Sequence, residues 1–416
     1  MPEQTASLKI AIRAFKPFED AIAEMWEQFC EHRSVDLELD ILPMELENLH
    51  RQVIDNGGLK NGNWDLALIN TDWIAEVYAT GAAENLQPYI DRHPPADFPD
   101  GWSESLLKLQ QFGDETVGLP FHDGPECLIY RTDLFEDPEE RKRFKAAYGK
   151  ELKPPETWED FMDIAHFFHR PEDNLYGSVW AAYPDGHNTV FDFALQVLTR
   201  GGDLTSEDGD VILNSPAAVR GMEFYRKLLQ DQQAVHPKCA DFDSVKSGMA
   251  FARGEVAMMV NWFGFASLCE FHNESQTKGD VSITSIPSSS DGTKVSLNVY
   301  WLYVLGKGSS HKKVSYDFLR YAISKTSDKL LTLKGGIGCR LSTWHDPEVN
   351  QEVPYYHRLE ALHQNAKTLP RKKNWSEIAE VIDEAVLQTM NTSRSVSEIL
   401  GEAQESTLKL SATQKL

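Results

Sequence analysis

The sequence is short of cysteine, of positive charge and of any long apolar run. Five cysteines (Cys30, Cys127, Cys239, Cys269 and Cys339) are spread through 416 residues with no Cys-x-x-Cys pair. An odd number cannot pair completely and the spacing fits no metal cluster, so structural thiols are expected in place of a disulfide framework. Lysine and arginine total 41 against 64 aspartates and glutamates, a formal net charge of −23. That balance argues against nucleic acid as a partner, because phosphate binding needs a cationic face. It also disfavours adsorption to anionic lipid. The basic runs Arg141-Lys142-Arg143 and Arg371-Lys372-Lys373 sit among acidic or polar neighbours and read as solvated helix ends or loops. The longest apolar stretch, Val256 to Cys269, is interrupted by Asn261 and Gly264. It is far short of the ~20 residues that cross a bilayer, so no direct membrane insertion is expected. Ser7 to Phe15 alternates like a strand and carries no charged-then-apolar leader pattern. Two readings stay open: a cytoplasmic protein, or an exported one whose leader is absent from this chain.

Catalytic signatures are missing as well. There is no Gly-x-Ser-x-Gly elbow, no His-Glu-x-x-His, no phosphate loop and no Gly-x-Gly-x-x-Gly after a strand. Asp203 and the run Ser206 to Asp210 resemble calcium ligands only superficially, since the EF-hand spacing and its terminal Glu are absent. His166 and His169 share a predicted helix, but no other ligand type is placed to complete a site. No cofactor and no metal are expected.

What is present is a regular alternation of short apolar runs and amphipathic stretches. At 416 residues the chain is too long for one core, and two domains of about 200 residues are expected. Lys9 to Phe15 predicts a strand, Phe18 to Phe29 a helix, Val35 to Leu42 a strand and Leu46 to Ile54 a helix. The stretch Trp64 to Tyr89 is the most informative: Leu66 to Ile69 reads as a buried strand, Asn70-Thr71-Asp72 as a helix start, and Trp73 to Ala79 as the helix. The opening third is thus β-α-β-α-β-α, the signature of a parallel sheet with crossover helices. Glu126 to Tyr130 predicts a further strand. A helix-rich region follows, with caps at Thr157 to Asp160 and Ser215-Pro216. Strand character returns at Val281 to Ile286 and Asn298 to Leu305, before a helix from Val314 to Ile323. The tail from about Pro354 is helical, with a further capping box at Asn374 to Glu377. Strands reappearing so late imply two lobes built from discontinuous segments.

Aromatic residues recur beside polar ones at predicted element ends: Asp72-Trp73, Phe121-His122-Asp123, Trp180 with Tyr183, Asn261-Trp262 and Tyr300-Trp301. A pyranose ring has C–H faces that pack on aromatic rings and a belt of hydroxyls that need partners, since an unpaired buried hydroxyl costs about 1–3 kcal/mol. Any single Trp here fits a core as well as a binding wall. Five such pairings together favour a carbohydrate site.

Four stretches then carry a family resemblance, in order along the chain: W-D-L-A-L-I-N-T-D-W-I-A-E-V-Y-A-T-G-A-A-E-N-L-Q-P-Y-I, V-G-L-P-F-H-D-G-P-E-C-L-I-Y-R-T-D-L-F, P-P-E-T-W-E-D-F and F-A-R-G-E-V-A-M-M-V-N-W-F-G. The chain resembles the sugar-type extracellular solute-binding proteins that feed ABC importers, the maltose-binding-protein-like group, from Lys9 to about Leu410. The resemblance implies an α/β two-lobe clamp of the periplasmic-binding-protein type, each lobe a mainly parallel sheet flanked by helices, with the ligand cleft between lobes. It implies a first lobe of 1–121 and 277–325 and a second of 122–276 and 326–416. It implies saccharide capture by hinge closure, delivery to the permease subunits of an ABC transporter, no catalysis, a monomer, and a periplasmic or extracellular location. Ligand contacts are expected from Phe15, Asp72, Trp73, His122, Asp123, Trp180, Tyr183, Asn261, Trp262, Trp301 and Arg340. The last departs from the family, which usually carries a proline and a small polar residue where this chain has Gly338-Cys339-Arg340. Arg340 either pairs with an anionic sugar or salt-bridges the lobes. Two other readings remain: a cleft enzyme acting on glycosides, for which Asp72 and Asp123 are the only carboxylate pair to nominate, and the same scaffold binding a polyamine or a metal.

Overall fold

Short apolar runs bounded by polar turns become strands, and the amphipathic stretches between them become helices. The computed structural model describes residues 7–413, with side chains through 410. In chain order the elements used below are β1 (Ser7–Arg13), α1 (Lys16–Arg33), β2 (Glu38–Met44), β3 (Leu66–Asn70), α2 (Ile74–Ala79), β4 (Leu119–His122), β5 (Glu126–Arg131), α3 (Trp158–Phe167), β6 (Tyr176–Val179), α4 (Asn188–Leu198), α5 (Pro216–Gln230), β7 (Val256–Trp262), α6 (Phe263–Phe271), β8 (Val281–Thr284), β9 (Trp301–Leu305), α7 (Lys312–Ala322), α8 (Lys325–Leu333) and α9 (Trp375–Asn391). The chain divides into two compact units. One comprises Met1–Gly124, Val299–Glu360 and Arg371–Lys373, the other Pro125–Asn298, Ala361–Pro370 and Asn374–Leu416.

The first unit is built on a five-stranded sheet in the order β2-β1-β3-β9-β4. β1 runs parallel to β2 and β3, while β9 is antiparallel to β3 and β4. α1 buries Phe18, Ala21, Ile22, Met25, Trp26 and Phe29 on one stripe, as its 3–4 spacing requires. The helix expected over Leu46 to Ile54 is two pieces, an α-helix at Leu46–His50 and a π turn at Arg51–Asp55.

The second unit carries a four-stranded sheet in the order β8-β5-β7-β6. β6 and β7 are parallel, and β5 is antiparallel to both β7 and β8. Each sheet therefore has a single reversed strand, β9 in the first unit and β5 in the second. In both cases it is the first strand after the chain arrives from the other unit.

Two expected boundaries move. β8 pairs with β5, so 277–298 lies with the second unit, and the first unit takes 299–360 in place of 277–325. An alternating pattern identifies a strand but not its neighbour; the hydrogen-bonded partner decides the unit. The caps at Thr157 and Ser215 form, their hydroxyls accepting from the Asp160 and Ala218 N–H groups at 3.1 Å each. Asn374 begins α9 but makes no side-chain cap, so the box expected there does not close. All five cysteines are free thiols and four are buried.

Candidate functional site

In the first unit β1 lies between β2 and β3, so the chain leaves β1 to one side and returns on the other. Such a switch point is where open α/β sheets bind ligands, beyond the carboxyl ends of the strands. The residues there are Phe15 just after β1, Thr71-Asp72-Trp73 after β3, and His122-Asp123 at the end of β4. Trp301 opens the reversed β9 at the same edge, opposite Asn70 on one side and His122 on the other.

Edge-to-face contacts link the rings of this edge. Phe15 meets Phe18 at 5.0 Å between centroids, Phe18 meets His122 at 4.7 Å and Trp301 at 6.4 Å, and Trp301 meets Trp73 at 6.1 Å. Each ring holds the next in a preferred quadrupole geometry. Trp73 and Asp72 are buried, whereas Phe15, His122 and Trp301 are part-exposed. Thr71 clips the edge together: its N–H donates to the Tyr300 carbonyl at 2.9 Å, and its hydroxyl accepts from the Tyr300 N–H at 3.1 Å.

His122 is fixed in one tautomer. Its Nδ1 accepts from the Ile337 N–H at 2.9 Å, so the ring proton of the neutral form sits on Nε2. The Asp123 N–H in turn donates to the Ile337 carbonyl at 3.0 Å. Burial pushes the imidazole down to about 4, against the opposing charge of Asp123. A histidine held neutral below its unfolded value of 6.5 contributes stability above that pH and loses it as pH falls through 6.5 toward 4. The shift is worth at most about 3 kcal/mol. Wild type should therefore lose more stability than His122→Asn between pH 6.5 and 4, measured by urea unfolding; parallel curves would remove this account.

Behind Trp73 stands a histidine that the sequence did not single out. His50 meets the Trp73 ring edge-on at 5.0 Å. Its Nδ1 lies 3.3 Å from Asp55 and its Nε2 3.2 Å from Glu76. Burial works against the charged ring, but the hydrogen bond and charge of Glu76, with Asp55, raise its pKa on balance. The π turn lets Asp55 reach residue 50, since its i→i+5 bonding brings residues five apart together. These three are the only grouping among the described residues with metal-ligand spacing, but both ring nitrogens already face a carboxylate.

Arg340 corrects the sequence reading. Its side chain is fully buried inside the first unit. The guanidinium donates to the carbonyls of Ala96 and Ile323 and to Asp97, and lies 4.2 Å from the Trp102 ring centre. Asp97 is in the same unit, so Arg340 neither joins the lobes nor meets a ligand anion. It clasps the 96–102 loop to the end of α7.

In the second unit Trp262 ends β7 and precedes α6, part-exposed, with its ring edge-on to Phe191 at 5.2 Å. Asn261 serves it and offers little to a ligand: its amide donates to the Ser244 carbonyl and the Ser247 hydroxyl at 3.0 Å each, and accepts from the Trp262 N–H at 2.8 Å. Trp180 is likewise a core residue, 0% exposed and packed on Trp158, Phe161 and Tyr225. Tyr183 is 48% exposed, with Lys246 5.8 Å over its ring.

Two acids escaped notice. Glu126 opens β5 and is 4% exposed; burial, with the nearby charge of Asp192, raises its carboxyl well above the ordinary range. Asp192 on α4 is pushed to about 8 by burial, against the hydrogen bond from Tyr225. A charged residue opening the apolar run Cys127 to Tyr130 was the visible signal for the first. Nothing local marked the second.

Residues 43–329 match the model of the bacterial extracellular solute-binding protein family. A lactose-binding protein of Rhizobium radiobacter is 23% identical over 285 residues, which cover 67% of this chain and 61% of its own length. Among solved structures, an ABC transporter solute-binding protein of Agrobacterium radiobacter K84 in complex with ribitol aligns with a TM-score of 0.85 at 22% identity, over 99% of this chain and 100% of that one. Maltose-bound T. maritima MalE3 gives 0.83 at 21%, over 98% and 100%. At such identities the likeness of structure speaks for the fold, while the sequence match across most of the chain speaks for descent. The chain belongs to the bacterial extracellular solute-binding protein family.

Proposed function

We propose that this chain captures a small saccharide or polyol outside the cytoplasm and delivers it to the permease subunits of an ABC importer. The observation that carries this reading is the switch-point edge of the first unit, where part-exposed and buried aromatic rings stand beside Asp72, His122 and Asp123. Rings suit the C–H faces of a sugar, while carboxylates and an imidazole N–H suit its hydroxyls. Ribitol and maltose, bound to the two similar structures, and the lactose of the related protein's name are ligands of that chemistry. In this reading the chain acts as a monomer and releases its ligand chemically unchanged.

A thermal-shift screen over neutral sugars and polyols tests the reading, because a ligand that binds only the folded chain raises the melting temperature. The ligand recovered after incubation should be intact. If no sugar or polyol raises the melting temperature, or if the bound saccharide is cleaved, the reading fails. Trp262 supplies a sharper check. Its part-exposed ring begins a helix, so Trp262→Ala should weaken sugar binding by ~1–2 kcal/mol, about tenfold or more, with little change in melting temperature. Unchanged affinity in a calorimetric titration would take Trp262 out of the site.

A further inference from the structure

Several carboxyl groups of the second unit lie together, with Glu126 and Asp192 each feeling the charge of another carboxylate. Glu126 pairs with Trp262 across the β5–β7 ladder, so the two side chains share one face of the sheet. Trp262 meets Phe191 edge-on, and the next residue on α4, Asp192, accepts a 2.6 Å hydrogen bond from Tyr225 of α5. Thr189, three residues earlier on the same face of α4, donates to Asp383 of α9. The charges felt by Glu126, Asp192 and Asp383 are those of other carboxylates, with Asp185 adding to the last two.

Unpartnered atoms surround this cluster. Glu126 Oε2, Trp180 Nε1 and both amide atoms of Asn298 are buried without a hydrogen-bond partner, in side chains 4%, 0% and 1% exposed. Trp180 packs against Tyr225, the tyrosine that holds Asp192. Ser296, two residues before Asn298, donates to the Glu126 carbonyl. Buried polar atoms in native proteins are nearly always satisfied by protein, water, ion or ligand, and like charges are not buried together without a counter-charge or a proton.

We propose that this face of the second unit binds a protonated amino group, so that the ligand is an amino sugar or amino polyol whose ammonium is held by Glu126 and Asp192 beside the rings of Trp262 and Phe191. The proposal rests on the carbohydrate reading above and narrows it to one class. Aromatic rings beside carboxylates suit an organic cation, which gains from the ring faces as well as the charges. A bare metal ion would want oxygen ligands on every side. The Asn298 amide is then free to meet a hydroxyl of the same molecule.

Calorimetric titration of the intact chain with matched pairs tests this: D-glucosamine against D-glucose and N-acetyl-D-glucosamine, and 1-amino-1-deoxy-D-sorbitol against D-sorbitol. At least one amine should bind tenfold or more tightly than its neutral partners, and Glu126→Gln should reduce that preference to within twofold. Asp192→Asn provides the second variant, with melting temperatures reporting that each is folded. Asp192, with Glu126, Asp185, Tyr225 and Cys239 around it, holds a proton near pH 7. Ammonium binding should expel it, giving different heats in phosphate and MOPS buffers, neither of which is an amino polyol. Neutral sugars bound as tightly as amines would overturn the amine subsite and leave the carbohydrate reading standing. Putrescine bound while no sugar of any kind binds would overturn the carbohydrate reading and keep the ammonium subsite. Heat from calcium or zinc chloride alone, without amine binding, would replace the amine with a metal and overturn the proposal. Failure of all probes would overturn both.

Discussion

Arg340→Ala should lower the unfolding free energy by about 3–4 kcal/mol while leaving affinity for a neutral sugar unchanged within twofold. The guanidinium is fully buried and donates to Ala96, Ile323 and Asp97. Truncation orphans the buried Ile323 carbonyl, removes the part-buried bonds to Ala96 and strips the face of Trp102, 4.2 Å away. Asp97 keeps a second cation, Lys325 at 2.7 Å, which tempers the loss of the ion pair. Arg340→Lys should recover little, because a point charge cannot copy a planar fork that reaches three acceptors. Urea unfolding measures the first claim and calorimetry the second. A stable variant that had lost discrimination between charged and neutral sugars would restore the anion-reading role that the structure takes from this residue.

Gly177→Ala should cost about 3 kcal/mol or more. Gly177 lies in β6 where α3 crosses it, and a methyl group there would overlap the backbone oxygen, Cα and carbonyl carbon of Ala165. Flexible side chains can swing away from an added methyl, but a helix backbone has to shift as a body, which places the cost at the upper end for overpacking. The reason is close approach of helix to strand. A melting temperature within two degrees of wild type would show that α3 moves freely over β6, contrary to the packing seen.

Local pattern made most elements legible. The stripe of Phe18, Ile22, Met25 and Phe29 named α1, the apolar run Leu66 to Ile69 named β3, and the hydroxyls of Thr157 and Ser215 began the helices they were expected to cap. The placing of candidate residues at the first unit's strand ends was legible for the same reason, since a residue just past a parallel strand falls at its carboxyl edge whatever the rest of the chain does. Asp72, Trp73 and His122 are of this kind, whereas Trp301 reaches the same edge only because β9 runs the other way. Trp180 satisfied the same local rule and failed it in space: it follows β6, but Trp158, Phe161 and Tyr225 close over its ring.

Two α/β units, the family and the kinds of residue at the strand ends could be read from the chain alone, because helical and strand periodicity, turn residues and motif order are written locally. Which of those residues stay exposed depended on how distant segments pack around them. Arg340 became a clasp because a loop more than two hundred residues upstream offers it acceptors. His50 was drawn to Trp73 by a π turn and by Glu76 on another helix. Glu126 and Asp192 share a buried space because β5, β7, α4 and α5 pack there. Exposure and charge environment are properties of neighbours in space, and for these residues the neighbours lie tens to hundreds of positions away along the chain.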